Sequence, residues 1–134
     1  MMKKILWLNF IVAAFFLGSC GGSDVVEVGN KTTMEIEPVF DAGKVMKGEK
    51  IDAEFNVKNT GDYPLVLAEV KGSCTCTVAD KPKDPIMPGE EFKIRAYVDT
   101  DRTGTGAINK LITIVANTDP SISTVAVKAI VMAK

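Results

Sequence analysis

Histidine is absent from this 134-residue chain. That removes Ser-His-Asp and Cys-His catalytic arrangements and every His-ligated metal site. It also removes the commonest general acid and base near neutral pH, which is the strongest argument against an ordinary hydrolase. Aromatic residues are sparse at 7%, and the single tryptophan, Trp7, lies close to the start of the chain, so the antibody-type Cys…Trp…Cys signature is missing. Neither sign of charge dominates: 16 basic residues face 17 acidic ones. Such a balance gives no footprint for nucleic acid or for an anionic membrane surface, and no nucleic-acid partner is expected. No segment has a helical period. No hydrophobic run is long enough to span a bilayer comfortably, which takes about 20 residues.

What the chain does have begins with a leader. Lys3 and Lys4 precede an apolar run, Ile5 to Leu17, broken only by Asn9, with the length of a signal-peptide core. The run closes on Leu17-Gly18-Ser19-Cys20, which resembles a bacterial lipobox, with Gly18 where Ala or Ser is commoner. The resemblance implies removal of residues 1–19 and a diacylglyceryl thioether, with palmitate-type acyl chains, on Cys20. Two or more acyl chains hold a protein stably on a membrane. The expected location is therefore the cell envelope, lipid-anchored, facing the periplasm or the cell surface. Residues 20–33, opening Gly21-Gly22-Ser23-Asp24, read as the lipidated cysteine and a flexible tether. The Asn30-Lys31-Thr32 sequon is discounted in a bacterial lipoprotein.

Residues 34–134 read as one domain of short strands. Ile51, Ala53, Phe55 and Val57 alternate with Asp52, Glu54, Asn56 and Lys58, and Phe92, Ile94, Ala96 and Val98 with Lys93, Arg95, Tyr97 and Asp99. Period two with one polar face marks a half-buried strand. Further strands are expected at Glu35 to Phe40, Gly43 to Met46, Leu65 to Val70, Leu111 to Ala116 and Ile122 to Met132. Pro82, Pro85 and Pro88 make residues 79–91 a stiffened loop. About seven short strands in roughly 100 residues predict an all-β, immunoglobulin-like antiparallel sandwich. Phe40, Phe55, Phe92 and Tyr97 are its expected larger core members, and Met34, Met46, Met87 and Met132 read mostly as core or gap-filling residues.

Chemistry is to be sought first at Ser73-Cys74-Thr75-Cys76-Thr77. With Cys20 consumed by lipid, Cys74 and Cys76 form an even pair in an oxidising compartment. In an extended strand their Cα atoms would stand roughly 6.5 Å apart, at the upper edge of disulfide range. A bond then needs a bulge or turn, which Gly72 and Ser73 can supply, and it would be easily reduced. Three readings stand: buried inert thiols or a structural bond, a redox pair, or a soft-metal site for Cu(I) or zinc completed by further ligands. Elsewhere, Asp99-Thr100-Asp101-Arg102-Thr103-Gly104 imitates the start of a calcium loop, but its twelfth position is Lys110, so it reads as a solvated hairpin loop. Gly104-Thr105-Gly106 lacks the lysine of a phosphate loop, and Glu90-Glu91 point to opposite faces of a strand.

Phe40-Asp41, Gly43-Lys44-Val45, Gly48-Glu49, Asn59-Thr60-Gly61, Pro64-Leu65, Ser73-Cys74-x-Cys76-Thr77, Pro88-Gly89 and Asp99-Thr100 fall in an order that resembles the bacterial domain-of-unknown-function family DUF1573. The resemblance spans most of residues 36–132. It implies kinship with the ASH, major-sperm-protein and PapD-like immunoglobulin folds. Ala42 stands where the family often has an aromatic residue, and Thr75 where it often has glycine. β-Branched Thr75 favours an extended backbone, which weakens the disulfide reading and strengthens the dithiol one. The functional expectation is a non-enzymatic binding or scaffolding module for an envelope protein, with no catalytic residue and no cofactor. The alternative is thiol-redox or Cu(I) handling through Cys74 and Cys76.

Overall fold

The computed structural model describes residues 29–134. The leader, the lipobox and Cys20 lie outside the described residues. Eight strands follow in chain order: β1 (Met34–Ile36), β2 (Val39–Met46), β3 (Lys50–Asn59), β4 (Leu67–Gly72), β5 (Thr77–Ala79), β6 (Glu91–Asp99), β7 (Gly106–Ala116) and β8 (Ile122–Met132). They form two four-stranded sheets, ordered β1-β3-β6-β5 and β2-β8-β7-β4, packed as a sandwich.

The alternation that predicts β3 and β6 also sets their register. Ile51 lies opposite Val98, Ala53 opposite Ala96, Phe55 opposite Ile94 and Val57 opposite Phe92. These inward residues meet Ile112, Ile114, Val125 and Val127 of the facing sheet, so each layer buries the other's apolar side. The rings of Phe40 and Phe55 meet edge to face, 6.3 Å between centroids, across the two sheets.

β1 and β2 form one path that changes sheets at Glu37-Pro38, leaving β3 as partner and joining β8. A strand delivered in this way runs in the same direction as β8, so this pairing is parallel while the other described strand pairs are antiparallel. The β2 ladder is interrupted by a bulge between Asp41 and Lys44. Gly43 turns there at φ 66°, and the Asp41 carboxylate accepts from its N–H at 2.8 Å.

Several expectations are corrected. Tyr97 is 37% exposed and faces solvent, not the core. It shares parity with Lys93 and Arg95, and strand alternation outweighs the hydrophobicity of one ring. Met46, Met87 and Met132 are exposed, not core. Leu65 and Ile86 lie outside the named strands, yet both are buried and bridge one another across the proline-rich loop. The packed chain starts at Thr32, ahead of Met34. Thr32 is buried, bridges Thr118 and donates from its backbone to the Asn117 carbonyl at 2.9 Å.

The sandwich therefore has two poles. Thr32, Asn59, Tyr63, Ile86 and Asn117 gather at the one where the chain enters. Lys50, Cys76, Asp99 and Thr100 gather at the other. The ten residues of β3 connect them, a span of about 30 Å at the usual strand rise.

Candidate functional site

β4 and β5 belong to different sheets, and the four residues Ser73–Cys76 turn the chain from one to the other at the far pole. The turn closes with the Thr77 N–H donating to the Cys74 carbonyl at 3.1 Å. On one side it is pinned to β7: the Ser73 N–H donates to the Leu111 carbonyl at 2.8 Å, and the Leu111 N–H donates to the Ser73 hydroxyl at 3.2 Å. On the other side the Asp99 N–H donates to the Cys76 carbonyl at 3.0 Å, and the Arg102 guanidinium donates to the Thr75 carbonyl at 3.3 Å. Gly72 is required for so close a crossing, because a Cβ there would lie 2.5 Å from the Thr77 carbonyl oxygen.

Within this turn Cys74 and Cys76 are joined as a disulfide, their Cα atoms 5.2 Å apart. The expectation that Thr75 holds the segment extended is thus corrected. Five backbone and side-chain hydrogen bonds to and within the turn outweigh the weak preference of one β-branched residue. Bonded to each other, the two sulfurs present no thiolate pair for Cu(I) or zinc in this state. Among the described residues no group of three or more acids and cysteines stands ready to hold a metal ion.

The calcium-like segment is also resolved. Thr100–Arg102 form a single 3-10 turn capped by the Asp99 carboxylate, which accepts from the Asp101 N–H at 3.1 Å. It is not simply a solvated loop, because Thr100 and Thr103 are buried. The Thr100 hydroxyl accepts from the Gly48 N–H at 2.9 Å and donates to the Glu49 carbonyl at 2.6 Å, fastening the β2–β3 turn.

At the opposite pole lies a residue whose role the sequence reading missed. Asn59 is fully buried, and its carboxamide is saturated. Its Nδ2 donates to the carbonyls of Tyr63 and Ile86, each at 2.8 Å; its Oδ1 accepts from the Thr32 hydroxyl at 2.9 Å and the Gly61 N–H at 3.1 Å. One side chain thus ties β3 to the arriving chain, the following turn and the proline-rich loop. The signal was available: Asn59 continues the inward parity of Ile51 to Val57, where an apolar residue belongs. Asn117 does a similar service, accepting from the Val66 N–H at 2.7 Å and donating to the Asn30 and Pro64 carbonyls, each at 2.9 Å.

The outer faces of the two sheets differ in chemistry. On β3 and β6 the outward residues are nearly all charged or polar, and Glu54 pairs with Lys93 at 3.2 Å and Arg95 at 3.4 Å while Glu91 pairs with Lys58 at 3.7 Å. Exposed pairs of this kind contribute up to about 1 kcal/mol each, so they keep the face soluble rather than hold the fold. The Asn56 amide donates to Glu91 at 2.9 Å, and this bond, opposed by desolvation and aided by Lys58, lowers the Glu91 pKa. A carboxyl lowered in the fold stabilises it above the unfolded-state value, and the benefit is lost as pH falls through the folded value. NMR titration of Glu91 should therefore give a midpoint below the ordinary glutamate range, and Asn56→Ala should move it back up. An unmoved midpoint would remove the assignment.

On the other sheet, Val39, Met46, Leu111, Ile122, Ile130 and Met132 are exposed large hydrophobics. The register puts them on one surface. Val39, Ala126 and Leu111 form one row, Lys44, Ile130 and Ala107 another, Met46 and Met132 a third, and Ile122 and Val115 a fourth. Asp41, Lys128 and Asn109 form a polar row among them. Next to it, Asp41, Lys44, Lys128, Ile130 and Ala107 line a shallow groove beside the β2 bulge.

Known proteins share this architecture. No curated protein matches the sequence. The crystal structure of a protein of unknown function from Porphyromonas gingivalis W83 superposes with a TM-score of 0.68 and 25% identity, over 81% of this chain and 51% of that one. The chain thus spans about half the length of that relative. The ASH/PapD-like domain 7 of human CEP192 superposes at a TM-score of 0.61 and 10% identity, over 87% of this chain and 99% of that domain. The Vibrio cholerae VesB protease is similar at a TM-score of 0.57 and 12% identity, over 73% of this chain and 31% of that one. The last two likenesses speak of fold alone. A family match covers residues 32–131, from the buried threonine that opens the packed domain to the penultimate residue of β8, and the chain belongs to the DUF1573 family of proteins of unknown function.

Proposed function

We infer that this protein is a binding module of the cell envelope, not an enzyme. In this reading Cys20 carries the lipid that holds it to a membrane, and the outer face of the β2-β8-β7-β4 sheet docks an envelope protein. The observation that carries the reading is the exposed apolar surface centred on Leu111 and Ile130, set against a charged surface on the other sheet. Isolated exposed hydrophobics need no explanation, but a set of them on one sheet face marks an interaction surface. The complete absence of histidine supports a role without hydrolytic chemistry.

A protein fits this surface better than lipid does. Asp41, Lys44 and Lys128 sit among the apolar rows, and covering such charges stably takes a partner that offers polar groups of its own, as a protein does and lipid tails do not. The rows follow one another along the length of the strands. The chain enters at the Thr32 pole, so a membrane tether of residues 20–31, reaching at most roughly 40 Å, would leave this face turned sideways towards a neighbour. The face is favoured over strand addition at an edge. β1 and β5 are three residues long, and β2 and β4 both carry bulges, the devices that blunt sheet edges.

Leu111→Glu and Ile130→Glu test the reading. Both residues are exposed, so stability should change by no more than about 0.5 kcal/mol. Affinity for the envelope partner should fall at least about tenfold, while Glu54→Lys on the opposite face leaves it intact. Equal loss from both faces, or none from either, would contradict the assignment.

A further inference from the structure

The disulfide does little for the fold. Bridging residues two apart closes a very short loop, and the chain entropy a bridge removes from the unfolded state grows with loop length. The turn is also held by hydrogen bonds from Ser73, Leu111, Thr77, Asp99 and Arg102. The surroundings of the two sulfurs differ. Cys74 is half-buried and lines an open groove with Val70, Lys71, Gly72, Ser73 and Thr77. Cys76 is only 6% exposed, and its walls include Lys50 and Arg102 as well as Asp99. A single hydroxyl, Thr77 Oγ1, stands 3.6 Å from the Cys74 sulfur and 3.8 Å from that of Cys76.

We propose that the Cys74–Cys76 bond is a site of thiol–disulfide exchange that accepts two electrons from a dithiol of a client protein. The step goes beyond the docking role and does not depend on it. A client thiolate attacks Sγ of Cys74, the more exposed residue of the pair. The Cys74–Cys76 bond breaks, a client–Cys74 bond forms, and Cys76 leaves as a thiolate. The Thr77 hydroxyl donates to that thiolate, and the Lys50 and Arg102 cations favour it. The second client thiol, losing its proton to water, attacks the client sulfur of the mixed disulfide and expels Cys74. The client dithiol is oxidised to a disulfide and the pair is reduced to two thiols, which take up the two protons the client released. One client dithiol is consumed per chain.

Three features of the molecule meet this chemistry: a half-buried Cys74 on an open groove, a buried Cys76, and a hydroxyl near both sulfurs. The groove beside Cys74 at the far pole is open, which suits a cysteine carried on a protein surface.

The full-length chain, oxidised and in detergent, is treated with dithiothreitol as the dithiol probe, then alkylated and weighed intact. Two alkyl groups should be gained under native conditions, with the circular dichroism spectrum unchanged. Thr77→Val should slow the reaction by about tenfold, through loss of the hydroxyl that steadies the leaving thiolate, and Thr77→Ser should restore it. In variants that keep one cysteine of the pair, Cys76→Ser should form a mixed disulfide at Cys74 with a small disulfide reagent, while Cys74→Ser leaves the buried Cys76 unreacted. A bond that resists the dithiol until the chain unfolds would overturn the proposal. So would trapping at Cys76 in preference to Cys74, or equal rates for Thr77→Val and the parent. Ile130→Glu should exchange at the parent rate, so failure here and failure of the docking face are read separately.

Discussion

Asn59→Ala is expected to cost roughly 3–4 kcal/mol, which for a domain of about 100 residues lowers the melting temperature by 15 °C or more. The side chain is fully buried and makes four hydrogen bonds. Truncation removes a carboxamide and leaves the Tyr63 and Ile86 carbonyls, the Gly61 N–H and the Thr32 hydroxyl to find other partners. The penalty for buried groups left unpaired exceeds the net worth of the bonds themselves. Asn59→Asp should fare no better. It keeps an acceptor for Thr32 and Gly61 but turns a donor pair into a carboxylate facing two carbonyl oxygens, inside the protein. Asn117→Ala should be milder, because Asn117 is only partly buried and water can replace some of its partners. Urea denaturation distinguishes these cases. The midpoint should fall in the order parent, Asn117→Ala, Asn59→Ala, with little change in the slope. Parent-like stability for Asn59→Ala would remove Asn59 from its place as the tie between β3, the incoming chain and the proline-rich loop.

Phe55→Ala is expected to cost a similar 3–5 kcal/mol for a different reason. Phe55 is among the largest fully buried side chains and lies at the centre of β3, opposite Ile94 and against the ring of Phe40. Removing it forfeits the transfer free energy of a ring and leaves a cavity between two sheets whose backbones are tied by ladders and cannot close on it. Phe55→Leu should recover more than half of the loss. By contrast Glu54→Ala, one residue away on the outer face, should change stability by less than about 1 kcal/mol in spite of its two ion pairs. If the two substitutions had comparable effects, the parity assigned to β3 would be wrong.

Parity is also what made much of this fold legible in the sequence. β3 and β6 have one apolar and one charged face, so their positions, orientation and core members follow from alternation alone. β8 was harder. Ile122 to Met132 is apolar on both sides, and such a run locates a strand without saying which face meets the core. The exposure of Ile130 and Met132 is therefore a property of the sheet stacking, which no local pattern encodes. Tyr97 and the exposed methionines show that register, not hydrophobic type, decides which side chains enter the core. Leu65 and Ile86 were hidden because their burial depends on one long-range bridge across a loop rich in proline.

The candidate site divides in the same way. That Cys74 and Cys76 were the residues to watch was clear from their number and spacing. That they join each other in a turn was not, because the decisive hydrogen bonds come from Leu111, Asp99 and Arg102, far away in sequence. Asn59 stood in a recognisable turn motif, yet its real work is done by the side chain pointing inward from the end of β3, where it meets groups from three separate segments.

The outer face of the β2-β8-β7-β4 sheet is the proposed docking surface. Site-specific photo-crosslinking in intact cells tests that most directly, with the photoreactive residue placed at Leu111 on this face and at Glu54 on the other. The account predicts one discrete protein adduct from Leu111, abolished when Ile130→Glu is added, and none from Glu54. Adducts to lipid alone from Leu111, or the same protein adduct from Glu54 with none from Leu111, would contradict it.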